Sequence, residues 1–264
     1  MSDVEVSRSG SIVTLTMNRP KARNALSTEM RNELLAALLD AEGDNTVRCV
    51  ILQGAGEHFM AGGDVKSMGD SIKLDPEQIR QEFLARIHDL HPLMFTMRRM
   101  PKPIIASCRG AAAGAGVSMA LAADLIIAAE DAYFTLAYCK IGTSPDGSAT
   151  FQLPRAVSMK KAMEIALLGD AISAPDAAAM GMVNFVVPTP ELAQATTDLA
   201  TRLANGPTRV YGNTKALMYR SLESDFESQL QAEAVSFAEC ASRPDFHEGV
   251  TAFIEKRKPN FKGE

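Results

Sequence analysis

In the first half of the chain, short apolar runs alternate with longer segments of helical spacing, and glycine or proline closes the strand-like runs. "SIVTLTMNRP" (11–20) alternates apolar with polar residues and stops at Pro20, the pattern of a strand. "STEMRNELLAALLDAEGD" (27–44) opens on Ser27 as a helix cap and spaces Leu34, Leu35, Leu38 and Leu39 for one helix face. "VRCVILQGAG" (47–56) predicts a strand closed by glycines, and "PEQIRQEFLARIHDLHPLMFTMRRM" (76–100) predicts one long amphipathic helix ending before Pro101 and Pro103. "PIIASCRG" (103–110) is a further strand, "AAAGAGVSMALAAD" a glycine turn into a helix, and "LIIAAED" (125–131) another strand. Strand, helix, strand at this rhythm implies parallel pairing through right-handed crossovers, which is an α/β fold.

After Pro154 the pattern changes to helix almost throughout, with one short strand near Asn184 to Val187. The expected organisation is an α/β core over 1–190 and a helical oligomerisation region over 191–264, of a kind that packs on a neighbour. With 46% hydrophobic and 22% charged residues, a sizeable core can be buried. A net charge of -5 gives no electrostatic reason to expect nucleic acid or an anionic membrane as partner. The basic run "EKRKPNFKGE" at the end is by default a solvated tail. Cys49, Cys108, Cys139 and Cys240 lack metal-ligand spacing, so no metal site is expected and the thiols read as reduced core residues. The N-terminus carries no signal-peptide pattern, and the apolar run at 119–129 is broken by Asp124 and too short to span a bilayer. The expectation is a cytoplasmic protein.

Two glycine-rich turns concentrate the chemistry. "CRGAAAGAGVSM" is neither a P-loop nor a dinucleotide fingerprint, because Gly110, Gly114 and Gly116 are spaced G-x3-G-x-G. It does offer a helix N-terminus whose free backbone N–H groups face residues too small to block them. "HFMAGGDVKSM" (58–68) brings bare backbone near a ligand in the same way through Ala61, Gly62 and Gly63. Facing each other, the two loops would form an oxyanion hole; taken singly, each is equally a glycine turn or cap.

Together, "NRPKARNAL" (18–26), "FMAGGDVKSM" (59–68), "PKPIIASCRGAAAGAGVSMALAADL" (101–125) and "AFIEKRKPNF" (252–261) resemble the crotonase (enoyl-CoA hydratase/isomerase) superfamily. The resemblance spans Ile12 to Phe261. It implies a crotonase-like spiral of ββα units with a helical C-terminal trimerisation region, assembled as a homotrimer or hexamer. It also implies an acyl-CoA thioester substrate, no cofactor beyond that coenzyme A, and a thioester enolate intermediate. Carried over by position, the oxyanion donors are the backbone N–H groups of Gly63 and Ala115, the latter standing where many members have glycine. Lys21, Arg23, Ala61, Asp64 and Lys66 fall in the coenzyme A-binding segments. Phe253 and Lys256 match a region that in relatives reaches coenzyme A in a neighbouring subunit. Met68, His91, Ser118 and Tyr138 would line the acyl pocket.

Hydratases of this family use two glutamates, at positions occupied here by Ser118 and Tyr138. Neither residue does a carboxylate's work near neutral pH, since a serine lacks a base and a tyrosine titrates near about 10. Asp146 stands alone among acids between Tyr133 and Met163, where isomerase-type members project an aspartate. The expectation is therefore an enoyl-CoA isomerase with Asp146 as a single proton shuttle. Pro145-Asp146-Gly147 is equally good turn chemistry, with Asp146 as a cap for a helix starting near Ser148. Hydratase activity, a dehalogenase or thioesterase using Asp146 as nucleophile or base with His91 nearby, and a catalytically degenerate acyl-CoA-binding subunit are the alternatives.

Overall fold

The computed structural model describes residues 2–69 and 71–264. Its larger sheet has six strands: β1 (Val4–Ser9), β2 (Ile12–Met17), β3 (Cys49–Gly54), β4 (Ile104–Cys108), β6 (Leu125–Ala129) and β9 (Phe185–Val187), hydrogen-bonded in that order. β1 and β2 form an antiparallel hairpin, while β2, β3, β4, β6 and β9 are parallel neighbours, as the crossover rhythm predicted. A smaller sheet holds β5 (Ala111–Ala113), β7 (Tyr133–Thr135) and β8 (Ile172–Ser173). The chain steps repeatedly from the large sheet to the small one, β4 to β5 and β6 to β7, so each turn adds two strands before its helix.

The central strands β3, β4 and β6 are almost wholly apolar because both of their faces are covered. Val50, Leu52, Ile104, Ala106, Ile126 and Ala128 point into the main core, with α1 (Thr28–Gly43) and α3 (His91–Arg99) packed against it. The alternate residues Cys49, Ile51, Ile105, Ile127 and Ala129 form a second cluster with Leu192, Ala200 and Ala204 of α8 (Leu192–Ala204). Cys49 and Cys108 are buried thiols, as expected; burial, and then the charge of Asp124, pushes the Cys49 thiol up to about 12. Cys139 is exposed and belongs to neither core nor pocket wall.

The helix expected over 76–100 is two helices, α2 (Pro76–His88) and α3, separated at Asp89 and Leu90. Pro92 lies in the first turn of α3. Its ring occupies the space that a continuous helix would give to the carbonyl of His88, and it has no N–H to return. α4 (Ala115–Ala122), α5 (Ala149–Ala156), α6 (Met159–Leu168) and α7 (Ala174–Ala179) complete the region ahead of α8.

Beyond α8, the helices α9 (Thr208–Ser221), α10 (Phe226–Ala241) and α11 (Pro244–Ile254) are held to the core by polar clamps. Lys215 pairs with Asp124 at 2.9 Å and donates to the Met97 carbonyl at 2.8 Å. Arg48 donates to Thr208 Oγ1 and to the carbonyls of Gly206 and Phe261. The buried carboxylate of Asp245 accepts the N–H groups of Lys262, Gly263 and Glu264. α10 buries none of its residues, and Phe237, Phe253 and Ile254 stand exposed. Among the described residues no helix is long and apolar enough to cross a membrane.

Candidate active site

The two glycine loops meet through main-chain pairing. Leu26 N–H donates to Gly62 O at 2.7 Å and Leu26 O accepts from Asp64 N–H, so the N–H of the intervening Gly63 points the other way and stays unpaired among the described residues. Met60 bridges to β5: its N–H donates to Ala111 O, and its carbonyl accepts from Ala113 N–H at 2.8 Å. Gly114 follows with φ of 49°, a left-handed turn that starts α4. Its carbonyl accepts from both Val117 and Ser118, leaving the N–H groups of Ala115 and Gly116 free at the positive end of the helix dipole. Ala115 has negative φ, so alanine replaces glycine there without strain. A Cβ built on Gly62 would lie 3.7 Å from the Ala115 nitrogen, which measures how closely the two donor loops approach.

Asn24 fastens this arrangement from behind, and the sequence reading did not single it out. Fully buried with φ of 56°, its side chain accepts from Arg19 N–H and donates to the carbonyls of Ala55 and His58, at 2.7 to 3.0 Å. His58 in turn accepts the Ala111 N–H on Nδ1. The only clue along the chain was its place directly after the basic residues of "NRPKARNAL".

In front of the loops lies a cavity of about 1020 Å³. Gly63 and Ala115 are on its wall, with Met68, Tyr138, Asp146 and His91. Asp146 is the sole carboxylate on that lining among the described residues. α2 faces the cavity with Ile79, Phe83 and Ile87, a stripe at helical spacing, and Ile141 and Leu90 extend the apolar surface. Arg86 also lines it, donating to Ser67 Oγ, and His91 packs edge-on against Phe95 at 6.0 Å.

Asp146 does not cap α5. The Ala149 N–H binds the Asp146 carbonyl at 3.1 Å, whereas the carboxylate Oδ1 accepts the Tyr138 hydroxyl at 2.6 Å. Ser118 is not on the wall, as expected from sequence, but behind it, 1% exposed and donating from Oγ to the Asp146 carbonyl at 3.0 Å. All of α4 is buried, so its sequence offered no polar face from which to orient Ser118. Burial, reinforced by the Asp146 charge and the hydrogen bond to it, raises the Tyr138 pKa well above the ordinary phenol value. Tyr138 is therefore a neutral donor. Gly147 (φ 56°) and Ser148 (φ 69°) make the tight turn that aims Asp146, and the buried Ser148 hydroxyl has no hydrogen-bond partner.

The remaining expected residues, Ala61 excepted, lie off the cavity lining. Lys21 and Arg23 are exposed around the short 3-10 turn Pro20–Ala22, and Arg23 gives its carbonyl to Ala61 N–H. Ala61 itself lines the cavity. Asp64 caps the 3-10 turn Val65–Met68 and pairs with Arg19 at 2.9 Å. Partial burial opposes its ionisation, but the Arg19 and backbone hydrogen bonds outweigh that and hold the carboxyl below its usual range. Lys66 is exposed on that turn. Phe253 lines a separate apolar groove of about 560 Å³ between α9, α10 and α11, and Lys256 is exposed beyond it.

The family model for enoyl-CoA hydratase/isomerase matches residues 7–264. The chain is 38% identical over 252 residues to a probable enoyl-CoA hydratase of Rhodobacter capsulatus, covering 96% of this chain and 95% of that protein. It is 37% identical over 255 residues to the 1,2-epoxyphenylacetyl-CoA isomerase of Escherichia coli, with the same coverage. The crystal structure of a putative enoyl-CoA hydratase/isomerase from Mycobacterium abscessus superposes with a TM-score of 0.93 at 33% identity, covering 99% of this chain and all of the other.

Proposed function

Because the chain belongs to the enoyl-CoA hydratase/isomerase family, the crotonase superfamily, we propose that it is an isomerase that shifts a carbon–carbon double bond along an acyl-CoA thioester, with Asp146 taking and returning the proton. The observation that carries this reading is the cavity wall itself, which among the described residues presents one carboxylate. Overall identity does not separate the chemistries, since a hydratase-named and an isomerase-named relative stand at 38% and 37%. The residues do. Adding water across a double bond requires activation of the water and delivery of a proton to carbon, whereas Ser118 lies behind the wall and the Tyr138 phenol is held neutral.

In the proposed reaction the thioester oxygen accepts the N–H groups of Gly63 and Ala115. Asp146 removes a proton from the carbon next to the carbonyl, and the electron pair of that C–H bond passes into a dienolate whose negative charge rests on the oxygen. The same carboxyl then protonates the far carbon of the dienolate, which moves the double bond into conjugation and restores the carboxylate. One oxyanion donor of this kind contributes about 3 kcal/mol of barrier lowering. No cofactor enters beyond the coenzyme A of the substrate.

In this reading Lys21, Arg23, Ala61, Asp64 and Lys66 would contact the coenzyme A. The exposed Phe237, Phe253 and Ile254 support assembly into a trimer or a pair of trimers, in which Phe253 and Lys256 would meet a neighbour's coenzyme A. The test compares wild type with Asp146→Asn on a β,γ-enoyl-CoA, with crotonyl-CoA hydration run in parallel. The expected loss in kcat is about 1,000-fold or more, the scale on which proton-transfer groups act. A variant as fast as wild type removes Asp146 from the chemistry, and efficient hydration by wild type overturns the isomerase reading. Binding of thioester without turnover would make the chain an acyl-CoA binder.

A further inference from the structure

We infer that Tyr138 is the positioning residue of this site: its hydroxyl occupies one oxygen of Asp146 so that the other alone meets the substrate. The inference rests on the reading of Asp146 as the base. The Tyr138 hydroxyl donates to Oδ1 at 2.6 Å, and among the described residues nothing bonds to Oδ2. A carboxyl on so short a side chain rotates broadly about its last bond unless something holds it. The surroundings leave that hold to Tyr138. Ser118 fixes the Asp146 carbonyl, and a Cβ on Gly147 would lie 3.0 Å from the Ser118 Cβ, so the backbone of the turn is pressed against α4. The carboxyl beyond it has one remaining anchor.

Tyr138 is itself immobilised from two sides. It sits in the 3-10 helix Ala137–Ile141, and its carbonyl accepts the returning N–H of Thr143 at 3.2 Å. Its ring lies beside the start of α4, where a Cβ on Gly114 would be 3.8 Å from Cζ. One side chain thus touches both the oxyanion turn and the base, setting their separation. Ser118, 3.5 Å from the Tyr138 hydroxyl, gives that hydroxyl a second neighbour on the buried side. The phenol remains a donor because burial keeps it neutral. A proton shuttle gains from this arrangement, since Oδ2 takes the proton at one carbon and must deliver it to another without turning to solvent.

The experiment is Tyr138→Phe, which keeps the ring, assayed on the same β,γ-enoyl-CoA beside Asp146→Asn. The expected result is a kcat lower by about 10- to 100-fold with KM within about 3-fold, the split produced by losing an interaction that matters only in the transition state. Unchanged kcat, or a rise in KM with kcat preserved, overturns the inference. If Asp146→Asn is inactive while Tyr138→Phe is as fast as wild type, only the positioning role fails; if Asp146→Asn stays active, the reading of the base has failed first. Should Tyr138→Phe melt early, two replacements of similar shape decide: 4-aminophenylalanine at 138, which still donates, should keep kcat within about 3-fold, whereas 4-methylphenylalanine, which cannot, should lower it by about 10-fold or more; equal rates reject the role.

Discussion

The floor of the cavity is main chain locked against main chain, whereas its roof is a helix that buries no residue of its own. On the floor, all eight residues of α4 are buried, and backbone hydrogen bonds of 2.7 to 3.0 Å tie Met60 to Ala111 and Ala113 and Gly62 to Leu26. On the roof, α2 is stabilised from its own ends: Asp75 and Gln78 form a capping box, and Arg80 pairs with Glu77 one turn on. Its apolar stripe of Ile79, Phe83 and Ile87 faces the cavity rather than the core. The difference follows from what each surface must do. Oxyanion donors work within tenths of an ångström, so they are set on backbone that cannot shift; an acyl chain asks only for apolar contact, which a loosely docked helix provides.

The largest effect is expected from the smallest change to the floor. In Gly116→Ala, the new Cβ would lie 2.3 Å from the Met60 carbonyl oxygen, a backbone atom that already accepts the Ala113 N–H. Relief requires α4 or the Met60 strand to move, which separates the donors at Gly63 and Ala115. Loss of stability of about 3 kcal/mol is expected by denaturant titration, together with a fall in kcat of at least about 100-fold in the protein that still folds. Wild-type turnover in this variant would mean that the floor is as adaptable as the roof.

On the roof, Phe83→Ala should do the reverse. The ring is half-buried and faces open cavity, so its removal leaves no sealed void, and stability should change by less than about 1 kcal/mol. The acyl chain loses an apolar partner in ground and transition states alike, which raises KM by about 10-fold and leaves kcat within about 2-fold. Steady-state kinetics on a long-chain substrate checks this; a collapse in kcat would show that α2 shapes the reacting end as well.

The same contrast explains what could be read along the chain. The floor was legible because glycine spacing is a local record of where backbone must approach backbone, and "FMAGGDVKSM" and "GAAAGAGVSM" carry it. The central strands were legible as short apolar runs, as two covered faces require, and β2 by its alternation of apolar and polar residues. The roof was half legible: the stripe on α2 appeared, but the break at Asp89 and Leu90 did not, since Pro92 sits inside an otherwise continuous helical pattern. The Tyr138–Asp146 bond was illegible, because the seven residues between them include a left-handed turn at Gly142 whose path only the fold fixes. Asn24 escaped for the same reason, two of its three partners lying more than thirty residues away along the chain.

Where floor meets roof, the turn that carries Asp146 is strained. Ser148 is a serine in the left-handed region at φ 69°, and its buried hydroxyl has no partner. The conformation costs about 1 to 2 kcal/mol in a residue with a Cβ, and an unsatisfied buried hydroxyl adds a further cost of about 1 to 3 kcal/mol. Ser148→Gly removes both, at the expense of about 0.5 to 1 kcal/mol for the more flexible unfolded chain. The net expectation is a gain of about 1 kcal/mol in stability, read as a higher Tm. Activity should stay within about 2-fold, because Asp146 keeps its Tyr138 and Ser118 contacts. A gain in stability accompanied by a large loss of turnover would assign the strain itself to the chemistry and place Ser148 on the floor, among the residues whose geometry the reaction requires.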